Sequence, residues 1–233
     1  MKNTYTAIIT ARGGSKGLPR KNVLDLAGKP MIAHTITAAQ ESGCFEHVVV
    51  TTDCPEIKSV SLSWNAGVID RPPELATDSA SSVDVLHHAL SVLKSNGNIT
   101  SHFVLLQPTS PLRNFKHIQE AIAKFEVSDA ASLVSVTEVN HPIQKFLFDN
   151  DGVLDPVFSW EALTMPRQSL KPAFLVNGAI YIVGYDRFIK NKNLFASPVG
   201  SYFMAPAISL DIDGAEDFEY AKKFLLRNET MSC

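Results

Sequence analysis

The sequence predicts an α/β fold, a Rossmann-like and mainly parallel sheet with helices on both faces. Short runs of apolar and β-branched residues recur along the chain, and several lack the alternation of a half-exposed strand. Between them lie longer stretches whose apolar residues recur at helical spacing. This alternation is typical of parallel strands joined by crossover helices. With 233 residues, of which 45% are hydrophobic, the chain can bury a sizeable core.

The predicted strands are short and mostly apolar, as expected for strands buried on both faces. They cover residues 6–10, 48–52, 67–69, 103–106, 131–136, 174–176 and 179–183. The predicted helices cover residues 31–39, 56–64, 82–93, 116–125 and 215–226. Pro30 suits the start of the first helix, and either Ser79 or Ser81 is available to cap the third.

The regular alternation stops between residues 138 and 172. This stretch contains several prolines and four aromatic residues that look exposed, which are Phe146, Phe148, Phe158 and Trp160. We therefore divide the chain into an α/β domain of residues 1–137 and 173–233 and an inserted, mostly non-helical segment of residues 138–172. Long loops in compact domains are usually functional or form interfaces. The alternative is a loop that folds back on its own domain.

Composition excludes several classes of function. The net charge of −3, from 21 basic and 24 acidic residues, gives no reason to expect nucleic acid as a partner. The sequence has no apolar run of 18 residues and no apolar stretch of signal-peptide type at its start, so we expect neither a membrane span nor secretion. The three cysteines, Cys44, Cys54 and Cys233, lack metal-binding spacing and are too few for a disulfide framework, which favours a cytoplasmic location.

A glycine-rich basic loop follows the first predicted strand. Residues 11–22 read ARGGSKGLPRKN and contain four of the chain's 21 basic residues. Glycines let the backbone turn tightly and bring its N–H groups close to an anion, while Arg and Lys supply positive charge. The spacing is that of neither a Walker A loop nor a G-x-G-x-x-G motif. The loop predicts a polyphosphate site, with a solvated basic turn as the alternative.

Two acids near the end of the chain, Asp211 and Asp213, are two residues apart. On an extended backbone such side chains point to the same side, so both can reach one cation. Mg²⁺ prefers one or two carboxylates together with phosphate oxygens and waters. Beside a polyphosphate loop the pair therefore predicts a magnesium site, although such acids can also be loop or capping residues. Asp53, which follows the second strand, either contacts a ligand or caps the next helix.

Six motifs in order, spread over nearly the whole chain, resemble the acylneuraminate cytidylyltransferases, the CMP-sialic acid synthetases. They are ARGGSKGLPRKN at 11–22, RPPELA at 71–76, LQPTSPLR at 106–113, PRQ at 166–168, NGAIY at 177–181 and DID at 211–213. The resemblance implies a fold of the nucleotide-diphospho-sugar transferase type. It also implies an enzyme that joins CMP from CTP to the anomeric 2-hydroxyl of a nonulosonic acid, N-acetylneuraminate first among them, and releases pyrophosphate.

The same resemblance implies a role for each matching residue. The residues matched to CTP binding are Arg12, Gly13, Ser15, Lys16, Lys21, Asn22, Arg71 and Ser82. Those matched to binding of the sugar acid are Gln107, Thr109, Ser110, Arg167, Asn177, Tyr181 and Phe195. Asp211 and Asp213 match the magnesium ligands, and Arg12, Lys21 and Asp211 are the expected catalytic residues. The segment of residues 138–172 matches a dimerisation element that reaches the active site of a partner, so a homodimer is expected.

Several alternatives remain open at this point. Asp211 either holds Mg²⁺ or assists deprotonation of the attacking hydroxyl, with one metal ion or two. Leu194 and Gln144 depart from the family pattern, which bears on the acyl group accepted, so legionaminic, pseudaminic or an octulosonic acid are alternative substrates. The rivals from other classes are a glycosyltransferase that uses D-x-D to hold a nucleotide sugar and a non-catalytic nucleotide-binding regulator.

Overall fold

The structure is a computed structural model that describes residues 3–14 and 17–230, with side chains as far as residue 227. Two predicted site residues, Ser15 and Lys16, lie outside the described residues. The strands are β1 (Tyr5–Thr10), β2 (Asp25–Leu26), β3 (Lys29–Pro30), β4 (His47–Thr52), β5 (Gly67–Asp70), β6 (His102–Leu105), β7 (Ser132–Glu138), β8 (Leu147–Asn150), β9 (Val153–Pro156), β10 (Phe174–Gly184) and β11 (Val199–Phe203). The helices are α1 (Met31–Ser42), α2 (Pro55–Ser63), α3 (Ser82–Ser95), α4 (Phe115–Glu126), α5 (Trp160–Thr164), α6 (Tyr185–Asn191) and α7 (Ala215–Thr230).

The central sheet has seven strands in the order β11-β7-β10-β6-β1-β4-β5. Neighbours β6, β1, β4 and β5 are parallel, and β11 is parallel to β7. β10 pairs antiparallel with both β6 and β7, so it is the strand of this sheet that runs against the others. The prediction of a mainly parallel sheet is confirmed.

Helices cover both faces of the sheet. Successive side chains of a strand point to opposite faces, so neighbouring apolar residues of one strand pack into two different cores. In β1, Ile9 joins a core cluster with Ile36 of α1 and Ile122 of α4. The adjacent Ile8 joins a different cluster with Leu90 of α3 and Phe188 of α6. The uncharged, mostly buried strand β1 thus supplies both cores, as predicted for a strand covered on both faces.

Helix ends follow the expected capping chemistry. Ser81 caps α3, since its Oγ accepts a hydrogen bond from the Asp84 N–H at 3.1 Å. Asn114 and His117 form a reciprocal capping box at the start of α4. α1 ends at Gly43, whose φ of +63° a side chain rarely adopts. Of the two serines proposed as caps for α3, Ser81 is the one used.

Each predicted strand and helix is present, with changed boundaries. The stretches 174–176 and 179–183 form one strand, β10, whose pairing with β7 shifts register between Val176 and Tyr181. α6, β11 and the small β2–β3 pair were not predicted from the sequence. The segment of residues 138–172 contains the β8–β9 hairpin, the short helix α5 and two 3₁₀ turns, so it is mostly non-helical as predicted. Within the described residues, no helix is long and apolar enough to cross a membrane.

The strand order reverses direction at β1. The chain passes from β1 to β4 on one side, whereas β6 lies on the other side of β1. Ligands of open α/β sheets bind where the order reverses, at the carboxyl ends of the strands. The loops after β1 and β6 meet there, and these loops carry the glycine-rich motif and the motif of residues 106–113.

Candidate active site

A cleft of about 540 Å³ opens at the carboxyl ends of β1, β5 and β6. Parallel strands bring these ends to one edge of the sheet, so loops that are distant in sequence meet there. The cleft is lined mainly by polar and charged groups, which suits a polyanion better than an apolar ligand. Predicted site residues that line the cleft are Arg12, Lys21, Asn22, Arg71, Ser82, Gln107, Thr109 and Asp213.

Hydrogen bonds fix the shape of the glycine-rich loop. The buried Asn22 donates from Nδ2 to the Arg12 carbonyl at 3.2 Å. The Gly13 N–H donates to Asp53 Oδ1 at 3.0 Å, and a Cβ at Gly13 would lie 2.9 Å from Cys54 Cβ. Asp53 therefore holds the loop, and its side chain does not cap α2.

Arg12 forms an ion pair across the cleft. Its Nη1 lies 2.6 Å from Asp78 Oδ1, and both residues line the cleft. Asp78 belongs to the loop between β5 and α3 and was not among the site residues predicted from the sequence. In the sequence, Asp78 is distinguished only as an acidic residue shortly after the RPPELA motif. Its proximity to Arg12 becomes apparent only in the folded chain.

The basic loop and the D-x-D motif are in direct contact. Lys21 Nζ donates to the Ile212 carbonyl at 2.5 Å and lies 3.7 Å from Asp213 Oδ1. The Ile212 N–H donates to the Thr109 carbonyl at 2.8 Å. Three loops, those carrying Lys21, Thr109 and Asp213, are thus tied together at one point. Ile212 is fully buried against Met31 and Phe218, which anchors the two acids on either side of it.

The electrostatics of Asp211 suit a cation. Partial burial raises the pKa of its carboxyl, and the nearby charges of Asp213 and Asp217 raise it further. A hydrogen bond from Thr109 and the charge of Lys21 lower the same pKa. A divalent cation between Asp211 and Asp213 would relieve the repulsion between the two carboxylates.

The donor set fits Mg²⁺ bound together with a phosphate ligand. Within the described residues there is no group of three or more His, Cys, Asp or Glu side chains that could enclose a metal ion. The pair of carboxylates supplies what Mg²⁺ takes from proteins, and phosphate oxygens and waters supply the rest of its octahedron.

Arg71 is a buried cation at the wall of the cleft. Its Nη2 donates to the Thr51 carbonyl at 2.7 Å, and the residue is 7% exposed. Burial lowers the pKa of the guanidinium, Asp53 raises it and Arg12 lowers it. Arg71 thus lies near both Arg12 and Asp53, which links the loop after β5 to the glycine-rich loop.

The residues predicted to bind the sugar acid are only partly brought together. Gln107 lines the cleft, and Gly178, at φ +76°, leaves room for it: a Cβ there would lie 2.3 Å from Gln107 Oε1. Ser110 is fully buried, and its Oγ makes no hydrogen bond to the described residues. The Tyr181 and Phe195 rings meet edge to face with centroids 6.2 Å apart. Burial raises the pKa of Tyr181, and the charge of Asp211 adds to that rise.

Two predicted residues have surroundings unlike those of the cleft. Asn177 is buried, with Oδ1 accepting from Ser135 Oγ at 2.6 Å and Nδ2 donating to Ser209 Oγ at 2.9 Å. Through these two bonds the Asn177 amide links β10 to β7 and to the turn before the D-x-D motif. Arg167 lies on an exposed 3₁₀ turn, where its Nη2 donates to His141 Nδ1 at 2.9 Å. It does not line the cleft of its own chain, so its predicted contact with the sugar acid stays a prediction.

A family model described as Cytidylyltransferase matches residues 6–231. The chain belongs to the cytidylyltransferase family. The predicted resemblance is confirmed, and the residues matched include every motif on which it rested.

Relatives in this family include an N-acylneuraminate cytidylyltransferase from Streptococcus agalactiae serotype III (strain NEM316), 43% identical over 215 residues. The match covers 91% of this chain and 51% of that protein, so the chain spans about half the length of this relative. A pseudaminic acid cytidylyltransferase from Campylobacter jejuni (serotype O:2, strain NCTC 11168) is 35% identical, with 95% of each chain covered.

A solved structure has the same fold as this cytidylyltransferase chain. It is titled as CMP:2-keto-3-deoxy-manno-octonic acid synthetase complexed with CTP and aligns with a TM-score of 0.70. The alignment covers 97% of this chain and 99% of that chain at 18% identity. The predicted Rossmann-like fold of the nucleotide-sugar type is therefore confirmed.

Proposed function

We propose that this chain is an enzyme that joins CMP from CTP to the anomeric 2-hydroxyl of N-acetylneuraminate and releases pyrophosphate. The observation that carries the proposal is the contact of Lys21 with the D-x-D turn. Lys21 and Asp213 both line the polar cleft, so a basic side chain and an acid of the motif lie side by side there. Such a pairing suits a triphosphate, because its negative charge needs both basic side chains and a divalent cation.

In the proposed reaction the 2-hydroxyl oxygen of the sugar acid attacks the α-phosphorus of CTP. A new P–O bond forms, the bond from the α-phosphorus to the bridging oxygen breaks, and that oxygen leaves with pyrophosphate. The hydroxyl proton passes to Asp211 or to water. Arg12 and Lys21 stabilise the negative charge that grows on the departing pyrophosphate.

We further propose that the reaction depends on Mg²⁺. Asp211 and Asp213 would hold the ion, which when bound polarises phosphate oxygens and neutralises their charge. The carboxylate pair and the absence of a larger group of metal-binding side chains in the described part of the chain support an ion that CTP helps to bind.

The choice of sugar acid rests on the relatives. The 43% identity to N-acylneuraminate cytidylyltransferase exceeds the 35% identity to pseudaminic acid cytidylyltransferase. Gln107, beside the Gly178 turn, and the Tyr181–Phe195 pair are the residues we assign to the sugar acid, with Thr109 and Ser110 on the same loop as Gln107. Pseudaminic, legionaminic and octulosonic acids are the alternative acceptors for the same chemistry.

We also propose a cytoplasmic location for this enzyme, and this proposal rests on composition alone.

Pyrophosphate release tests the proposal directly. The purified chain is incubated with CTP, Mg²⁺ and each of the four sugar acids, and the CMP-sugar is identified by mass spectrometry. We expect kcat/KM for N-acetylneuraminate to exceed that for the other acids by at least about tenfold. UTP, ATP and GTP serve as nucleotide controls. Absence of pyrophosphate release with every acid would overturn the assignment, and preference for another acid would replace N-acetylneuraminate with that acid.

We also propose that the chain forms a homodimer through the segment of residues 138–172. Its hairpin and α5 expose large apolar side chains, with Phe148 and Trp160 each 59% exposed. Exposed apolar patches of this kind usually mark association surfaces. Arg167 lies on this segment and outside the cleft of its own chain, which supports a site completed by a partner subunit.

Light scattering under assay conditions tests the dimer. We expect the unaltered chain to be a dimer and the double variant Phe148→Lys/Leu154→Lys, on the β8–β9 hairpin, to be monomeric and inactive. Val127→Lys is the matched control, because Val127 is an apolar residue that is 88% exposed outside the segment. Deletion of residues 146–160 should also abolish activity. A fully active monomer would contradict this proposal.

A further inference from the structure

Asp217 holds the backbone of the D-x-D turn from outside the motif. Its Oδ2 accepts two hydrogen bonds, from the Asp213 N–H at 3.0 Å and from the Gly214 N–H at 2.9 Å. Both donors belong to the turn that carries the second of the two acids. One oxygen of a half-buried carboxylate thus fixes two successive peptide groups.

The start of α7 explains this arrangement. The Phe218 N–H donates to the Gly214 carbonyl at 3.2 Å, which makes Gly214 the N-cap residue that immediately precedes α7. The first N–H groups of a helix lack partners within it, and an acid in the third helical position can accept a hydrogen bond from the residue that starts the helix. Gly214 has no side chain that could cap the helix, and Asp217, at the third helical position, accepts instead from the backbone N–H of Gly214 and of the preceding Asp213.

The other contacts on this turn hold its carbonyl groups and Ile212. Lys21 Nζ bonds the Ile212 carbonyl, and the Ile212 N–H bonds Thr109. Neither bond involves the peptide N–H groups of Asp213 and Gly214. The Asp213 carboxylate lies 3.7 Å from Lys21 Nζ and its side chain is 86% exposed, so its position relative to Asp211 depends largely on the backbone that bears it.

We propose that Asp217 is a positioning residue for the metal-binding pair. Its two hydrogen bonds keep the Asp213 carboxylate at the distance from Asp211 at which both bind one divalent cation on CTP. The inference rests on the proposed function, since it takes Asp211 and Asp213 as metal ligands. Asp217 acts through hydrogen-bond geometry, so an acceptor oxygen at this position matters more than its charge.

Metal binding to the CTP complex tests the role of Asp217 without turnover. Mn²⁺, which takes the same oxygen ligands, is titrated into the protein saturated with CTP, and free Mn²⁺ is followed by electron paramagnetic resonance. We expect Asp217→Ala to weaken Mn²⁺ binding at least about tenfold and to raise the half-saturating Mg²⁺ concentration for turnover by a similar factor. CTP binding without metal should change less than about threefold.

Two variants separate geometry from charge. Asp217→Asn keeps an acceptor oxygen and should bind Mn²⁺ within about threefold of the unaltered protein. Glu216→Ala removes the same charge from the same turn of α7 without a bond to the D-x-D turn, and should also leave Mn²⁺ binding unchanged. If Asp217→Ala does not fold, Asp217→Ser, with a side chain too short to make both bonds, takes its place.

Unchanged Mn²⁺ affinity in Asp217→Ala or Asp217→Ser would overturn the inference, as would a defect in Asp217→Asn equal to that of Asp217→Ala. A failure of the proposed function gives a different result, because the unaltered protein would then form no CMP-sugar. The Mn²⁺ comparison needs only CTP and metal, so it still tests Asp217 in that case.

Discussion

Gly17 packs directly against Asp213: a Cβ atom on Gly17 would lie 2.1 Å from the Asp213 carbonyl oxygen. The glycine-rich loop and the D-x-D turn therefore form one packed unit, although they lie at opposite ends of the chain. This contact explains why a glycine is needed at residue 17. The requirement comes from close approach between two backbones.

The first prediction concerns this contact. We expect Gly17→Ala to lower the free energy of unfolding by about 1–3 kcal/mol, because the added methyl group forces the two backbones apart. Activity should fall at least about tenfold, since the turn carries Asp213. Gly14→Ala is the control in the same loop, where a Cβ would meet nothing within 4 Å. Urea denaturation measures both variants, and equal stabilities would contradict the expected overlap.

The second prediction concerns the metal ligands. Asp211→Asn should leave the fold intact and lower kcat at least about a hundredfold, because Mg²⁺ loses an anionic ligand near the reacting phosphorus. Asp213→Asn should be similarly or slightly less harmful. Asp129→Asn, an exposed acid between α4 and β7, serves as the control. Near-normal turnover by Asp211→Asn at saturating Mg²⁺ would rule out this role.

The third prediction concerns Lys21. Replacement by Ala should cost on the order of 2–4 kcal/mol of transition-state stabilisation, because a preorganised charge beside the departing pyrophosphate is lost. Steady-state kinetics should show a larger effect on kcat than on the KM for CTP. Lys29→Ala is the control, since Lys29 lies over the Trp64 ring. An unchanged kcat with a raised KM would make Lys21 a binding residue only.

The fourth prediction concerns stability at low pH. Burial lowers the pKa of His34 to about 4, although the bond between Nε2 and the Leu26 carbonyl, 2.7 Å long, opposes that shift. The unfolded chain binds a proton at this residue near pH 6.5, whereas the folded chain does not. The contribution of neutral His34 to stability is therefore present above about pH 6.5 and is lost as the pH falls toward 4.

This shift corresponds to roughly 3 kcal/mol by linkage, so unfolding measured in urea should show a steep loss of stability between pH 6.5 and 4.5. Burial lowers the pKa of His102 and His117 in the same direction, so they add to the loss. His34→Gln should flatten the pH dependence of stability relative to the unaltered protein. An equal slope in the variant and the unaltered protein would contradict the assignment to His34.

Local sequence patterns were enough to predict the main elements and the edge of the sheet that carries the cleft. Runs such as residues 6–10 are apolar on both faces, and this property alone places them in the middle of a covered sheet. The elements that were missed, α6, β11 and the β2–β3 pair, are short and follow or interrupt the regular alternation. β11 forms by pairing with β7, a strand far earlier in the chain, and a local pattern does not show such a partner.

By itself the sequence determined the fold class, through its alternating apolar patterns, and the family, through six motifs that resemble it. It also determined the loops that supply Arg12, Lys21 and the two acids. Only the tertiary structure decided that Asp78 pairs with Arg12, that Asn177 lies engaged between strands, and that Arg167 lies outside the cleft of its own chain. The physical reason is that hydrogen bonds and close packing join residues far apart along the chain. These contacts form only when the strands and helices pack together through their buried apolar faces.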